Sequence, residues 1–298
     1  ILALTEPGDR IVIQPPVYPP FYRVVRENER VVVENHLRCE NGRFTMDFED
    51  LEEHFRAGAK MMILCSPHNP VGRVWSLEEL QQLEQLTARY EVTVLSDEIW
   101  SDLVFPDYKH RPLASLSPEL ASRTLTFMAP SKTFNLAGFY LSNVIIPNPE
   151  LQQKFCAQVE RIGLAHLNFF GLVASEAAYR EGGEWLDQLL DYLQQNVDYA
   201  INELAKITPK IKVIRPEGTF VLWLDCRELG IAPEELNSFF VNKAGIAFSD
   251  GMVFGPSGYG FQRMNIGCPQ AVIAKAMERL AKALAWIYLK LTDKKHRK

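Results

Sequence analysis

Short, largely apolar runs of strand length alternate with helix-patterned stretches in the first half of this chain. "KMMILC" (60–65), "VTVL" (92–95) and "LTFM" (125–128) lack the apolar–polar alternation of a half-solvated strand. Runs of this kind suit strands buried on both faces. Between the first two, Ser76 with Glu79 three residues on reads as a capping box that opens a helix to about Tyr90. Such alternation predicts an α/β chain with a mainly parallel sheet covered by helices on both sides. In such sheets ligands bind outside the carboxyl ends of the strands.

Further strands are expected at Arg10–Gln14, Val31–Val33 and Val144–Ile146, with helices over 20–28 and Asp47–Phe55, the latter capped by Asp47. "PPVYPPF" is neither a central strand nor a helix interior, because its four prolines remove donors and fix φ. After Phe155 a strongly helical stretch, broken at Gly182-Gly183, gives way to strands at Ile211–Ile214 and Thr219–Leu224. Helices from about Pro233 and Pro269 follow. This α+β segment reads as a smaller second domain. The expected division is 1–185 for the large domain and 186–298 for the small one. The opening "ILALTEPGDRIVI" reads as the end of an amphipathic helix turning into a strand, so a missing amino-terminal part is expected.

The chain has 298 residues and a net charge of −5, and its basic tail "KKHRK" reads as a solvated end. Nucleic-acid binding normally shows as a basic face, so no nucleic-acid partner is expected. No apolar stretch reaches the length of a membrane span, and no membrane partner is expected. The five scattered cysteines suggest reduced thiols in a cytoplasmic protein, and no metal is called for.

Three loops leaving strand carboxyl ends each carry a polar group: Asn69, Asp97 and Lys132. An amine, a carboxylate and an aromatic ring at sheet ends suit pyridoxal phosphate. That cofactor needs a lysine for its aldehyde and an acid beside its ring nitrogen, and it gains from a stacked ring. From the residues alone other roles stay open. A strand-end lysine is often solvated, Asp97 also suits capping the following "EIWSDL", and Asn69 also suits an Asn-Pro turn. Tyr18 also suits a core aromatic, Ser131 a turn residue, and Arg263 a structural ion pair.

Seven stretches carry a resemblance: "LTEPGDRIVIQPPVYPPF", "CSPHNPVGRVW", "LSDEIWSDLVF", "APSKTFNLAG", "AAYREGGEWLDQLLDYLQQN", "RPEGTFVLWLDCRELG" and "FGPSGYGFQRMNIGCP". They span nearly the whole chain. The sequence resembles the type I pyridoxal-phosphate fold of the class I/II aminotransferase superfamily. Within it the chain is most similar to the MalY/PatB group of C–S β-lyases, which includes cystathionine β-lyases. The resemblance implies that Lys132 bonds the cofactor aldehyde and Asp97 pairs with its ring nitrogen. It further implies that Asn69 bonds the phenolic oxygen, Tyr18 stacks on the ring, Ser131 binds the phosphate and Arg263 forks the substrate carboxylate. A homodimer acting on a small amino-acid substrate is implied too.

Two positions depart from the aminotransferase pattern. Trp100 stands three residues after Asp97, where a tyrosine is usual. It is counted with the cofactor-binding residues, although an indole donates only one N–H. Tyr140 stands eight residues after Lys132, where an arginine is usual for the phosphate. These departures favour α,β-elimination of sulfur amino acids to thiol, pyruvate and ammonia, with Lys132 as base. The rivals are an aminotransferase of the same fold and a truncated, non-catalytic binding or regulatory module. His68 and His166 lack a telling partner, and His166 is expected to pack. Cys65 and Cys268 are expected as small fillers, and "GPSGYG" (255–260) as a flexible rim loop rather than a dinucleotide fingerprint.

Overall fold

A computed structural model describes the backbone of residues 1–295 and the side chains of residues 1–285, so the basic run 294–298 falls outside the described side chains. Among the described residues, twelve strands form three sheets. They are β1 (Arg10–Ile13), β2 (Val31–Glu34), β3 (Arg38–Glu40), β4 (Arg43–Thr45), β5 (Met61–Cys65), β6 (Thr93–Asp97), β7 (Thr124–Met128), β8 (Asn143–Ile145), β9 (Lys212–Ile214), β10 (Val221–Asp225), β11 (Ser249–Asp250) and β12 (Phe261–Asn265). The main sheet runs β2-β1-β5-β6-β7-β8. All of its pairs are parallel except β7–β8, so the expected parallel sheet carries one antiparallel edge strand. A second sheet, β11-β12-β10-β9, is antiparallel, and β3–β4 is a separate hairpin that sequence reading does not anticipate.

The apolar runs divide their side chains between two cores. In β5, Met61, Ile63 and Cys65 join one cluster while Met62 and Leu64 join the other, as the two-residue period of a strand requires. Among the described residues ten α-helices accompany the sheets: α1 (Pro20–Arg26), α2 (Phe48–Arg56), α3 (Leu77–Arg89), α4 (Pro118–Ala121), α5 (Pro130–Thr133), α6 (Pro149–Arg161), α7 (Phe169–Glu181), α8 (Gly183–Ile207), α9 (Pro233–Ser238) and α10 (Gln270–Lys295). The Asp47 side chain accepts from the Asp50 amide at the start of α2. Ser76 and Glu79 form the expected reciprocal capping box on α3. Gly182 separates α7 from α8; a Cβ there would meet the Phe134 ring at 2.5 Å.

Alternation in the antiparallel sheet aims its site residue. Leu222 and Leu224 of β10 and Met264 of β12 pack into the core that α8 and α10 help enclose. Trp223 and Phe261 face the other way and stack at 5.1 Å between ring centres. Arg263, two residues beyond Phe261, shares that face and so points toward the main sheet. The two sheets are joined at Gly72, whose carbonyl accepts from the amides of Glu217 and Gly218. Gly72 has φ +71°, and a Cβ would meet Pro216 at 2.6 Å, so only glycine fits this approach.

Candidate active site

The carboxyl ends of β5, β6 and β7 lie side by side, with Cys65 opposite Asp97 and Asp97 opposite Phe127. The loops that leave them open on a cavity of about 210 Å³. Tyr18, Asn69, Asp97, Trp100, Lys132 and Arg263 all line it, so six of the seven expected site residues meet at one place. Ser131, the seventh, precedes Lys132 on α5, is half-buried and does not line the cavity. Five lining residues escaped sequence reading in this role: Cys65, Ile99, Phe220, Val221 and Asn265. Asn265 was within reach, since it lies two residues from Arg263 on the same strand face.

Asp97 ends β6 and accepts from the Ile99 amide at 3.3 Å, so it caps the following turn and faces the cavity at once. Burial is the main influence on its carboxyl, and with the adjacent Glu98 it outweighs the Ile99 bond and Lys132. Together they push the carboxyl up to about 6. The Lys132 amine sits 5.7 Å from the centre of the Trp100 ring. Trp100 is buried and meets Phe220 edge-on at 4.6 Å, which fixes the indole beneath the amine.

Arg263 donates to Asn69 Oδ1 at 3.0 Å and to Ser249 Oγ at 3.2 Å, while its Nε is buried without a partner. Its guanidinium also lies 4.9 Å from the Phe254 ring centre. Burial pushes it below its ordinary value, and the neighbouring Tyr18 opposes that shift. The bond from Arg263 fixes the Asn69 amide with its oxygen turned to the guanidinium, which frees the amide N–H groups for another acceptor.

The remaining candidates fall outside this set. His68 is buried, donates to the Pro16 carbonyl at 2.9 Å and meets Trp75 edge-on; burial pushes it down to about 4, so it is neutral. His166 does not pack as expected: it is exposed, in a loop whose Leu164 and Leu167 are exposed too, as are Phe169 and Phe170 at the start of α7. Tyr140 is 93% exposed, so nothing from that position reaches the cavity. The stretch 255–260 is not the loose rim expected, because Gly258 packs against the Gly251 backbone and Gly255 against Tyr22. Cys65 is buried and Cys268 half-buried, in keeping with small fillers.

The description "Aminotransferase class I and II" matches residues 1–280. The chain belongs to this family. Among members of the aminotransferase family, it is 43% identical to the cystathionine beta-lyase PatB of Bacillus subtilis (strain 168), over 96% of this chain and 74% of that one. It is 31% identical to the protein MalY of Escherichia coli (strain K12), over 94% of this chain and 72% of that one. The crystal structure of cystalysin from Treponema denticola, which contains a pyridoxal 5'-phosphate cofactor, matches with a TM-score of 0.94 and 38% identity, over 96% of this chain and 73% of that one. The chain therefore has the type I fold of the family's pyridoxal-phosphate enzymes.

The residues present fit that group. Among the described residues the cavity offers one amine, Lys132, which pairs with no carboxylate, and one carboxyl, Asp97, which bonds no side-chain cation. The unpartnered Arg263 Nε awaits an acceptor. A cofactor with an aldehyde, a basic ring nitrogen and a phenolic oxygen answers the amine, the acid and the free Asn69 amide in turn.

Proposed function

We propose that this chain cleaves the carbon–sulfur bond of sulfur amino acids, cystathionine or cysteine conjugates, to a thiol, pyruvate and ammonia with pyridoxal phosphate. The observation that carries it is Lys132 and Asp97 lining one cavity with the Asn69–Arg263 pair. Bound there, the cofactor supplies an aldehyde for the substrate amine and a protonated ring that draws electron density from Cα. Lys132 would hold it, Asp97 would keep the proton on its ring nitrogen, Asn69 would donate to its phenolic oxygen, Tyr18 and Trp100 would wall the ring, and the phosphate would lie beyond the cavity lining, toward Ser131 on α5. Arg263 would bind the substrate carboxylate through N–H groups not given to Asn69 and Ser249, in charge-assisted bonds within a low-dielectric cavity. Once the substrate amine has displaced it, the freed Lys132 amine takes the Cα proton. The C–S bond breaks, the thiolate leaves with its electron pair, and the remaining three-carbon enamine hydrolyses. The test is pyruvate release from cystathionine in the absence of any keto-acid acceptor. Release is expected; amino-group transfer alone would make this an aminotransferase.

We also propose a cytoplasmic homodimer, with a large unit of residues 1–185 and a small one of 186–298. The dimer is supported by a contiguous exposed apolar run, Leu164, Leu167, Phe169, Phe170 and Val173, each more than half exposed. The compartment is supported by five cysteines, all free. Sedimentation at micromolar concentration tests the dimer, and a monomer refutes it. No helix among the described residues is long and apolar enough to cross a membrane.

A further inference from the structure

Lys132 stands on α5, a single helical turn whose N-cap Ala129 makes no side-chain bond. One turn closes too few hydrogen bonds to hold its own direction, so its neighbours must set it. At its carboxyl end Phe134 packs against Tyr179 at 5.6 Å and Trp185 at 5.8 Å between ring centres. Thr133, fully buried, donates from Oγ1 to Asp102 Oδ2 at 2.8 Å. Successive residues of a helical turn stand about 100° apart, so Thr133 leaves α5 in a different direction from Lys132. Neither Thr133 nor Asp102 lines the cavity.

Asp102 belongs to the same pair of turns as Trp100. The Ser101 and Leu103 amides donate to the Glu98 and Trp100 carbonyls at 3.0 and 2.9 Å, which winds residues 98–103 tightly. Trp100 itself is fixed against Phe220, and the Lys132 amine lies 5.7 Å from its ring centre. Among the described residues, the bond from Thr133 to Asp102 is the only side-chain hydrogen bond between these turns and α5. It therefore joins the segment that carries the amine to the segment that carries the indole.

We propose that Thr133 and Asp102 are positioning residues, whose bond holds the Lys132 amine over the Trp100 indole and so aims it into the cavity. The consequence for catalysis rests on the reading of Lys132 given above. A merely structural bond would add to stability and leave the amine where it is.

The amine can report its own position before any cofactor is added. Reductive methylation of the full chain with carbon-13 formaldehyde and cyanoborohydride turns lysine amines into dimethylamines that keep their charge. A dimethylamine held over an indole carries a ring-current shift, and Lys132→Arg assigns that signal. Thr133→Val removes the donor at nearly constant volume, and Asp102→Ala removes the acceptor. Both are expected to move the Lys132 signal toward the position of the other lysines, with circular dichroism reporting the fold. Thr133→Ser keeps the hydroxyl and should keep the parent's shift. A parent-like shift in Thr133→Val or Asp102→Ala overturns the proposal, as does a parent signal already level with the other lysines. If Thr133→Val does not fold, Asp102→Ala decides alone, since its side chain is only half-buried. In the enzyme loaded with pyridoxal phosphate, Thr133→Val should lower kcat for pyruvate release from cystathionine by about 10²-fold with KM near the parent's. An unchanged kcat overturns the part assigned to the bond in the reaction. A parent that releases no pyruvate strikes the functional reading and leaves the ring-current shift to judge the bond.

Discussion

Arg73 and Arg263 reach into the interior from opposite sides of the same junction, and their hydrogen bonds are completed to different degrees. Arg73 donates from Nε to Glu217 at 2.9 Å, from Nη2 to Glu79 at 2.8 Å and from Nη1 to Glu79 and the Phe44 carbonyl. Its face lies 5.0 Å from the Trp75 ring centre, and Glu217 also accepts from the Val74 amide. Arg263 has two neutral partners and one buried nitrogen with none. Lys132 and Asp97 beside it are likewise unpaired with opposite charges. A buried charge set whose bonds are all made inside the chain is a joint, whereas one left open costs stability and is kept for a ligand. The first set fastens the β10 approach to the β5 loop, and the second waits at the cavity between them.

The contrast can be broken at four points. Lys132→Ala should lower elimination by at least about 10³-fold while leaving the melting temperature near that of the parent; a lyase rate close to the parent's would remove Lys132 as base. Glu217→Ala should cost about 3–5 kcal/mol in urea unfolding, because it leaves Arg73 Nε and the Val74 amide buried without an acceptor. A cost under about 1 kcal/mol would end the claim that this set is the joint.

Asp97→Asn should act with the opposite sign on stability. Burial pushes the carboxyl up to about 6 in the folded chain, against 3.8 for an ordinary aspartate. Folding therefore carries a cost that is complete above pH 6 and gone below about pH 4. The amide removes that cost and still accepts from Ile99. Before cofactor is added, the variant should be more stable by about 2 kcal/mol at pH 8, with the gain fading as pH falls toward 4. Equal stability at both pH values would sink the assignment, and loss of cofactor affinity should accompany the gain. The smallest effect sharpens the baseline: Ser76→Ala should cost about 1 kcal/mol through the α3 cap, with no change in kcat.

Local chemistry was legible and long-range closure was not. The capping box at Ser76, the break at Gly182 and the strands β5, β6 and β7 all follow from spacing within a dozen residues. The meeting of Asn69, Asp97 and Lys132 follows from one rule about strand ends, and Tyr18, Trp100 and Arg263 came through the family resemblance. Ser249 and Phe220 were invisible, because antiparallel register across β10, β11 and β12 sets their positions. The β3–β4 hairpin was missed because its strands are three residues each and mostly exposed. Glu98 drew no reading from the sequence, because its burial and its contact with His110 depend on the folded loop after β6. His166 reversed its expectation because the apolar residues around it find no cover among the described residues.

The bond between Arg263 and Asn69 spans 194 residues of sequence. On the function proposed above, it ties the group that would take the substrate's carboxylate to the group that would take the cofactor's oxygen, so one bond between distant stretches of sequence would hold both ends of the cavity in register.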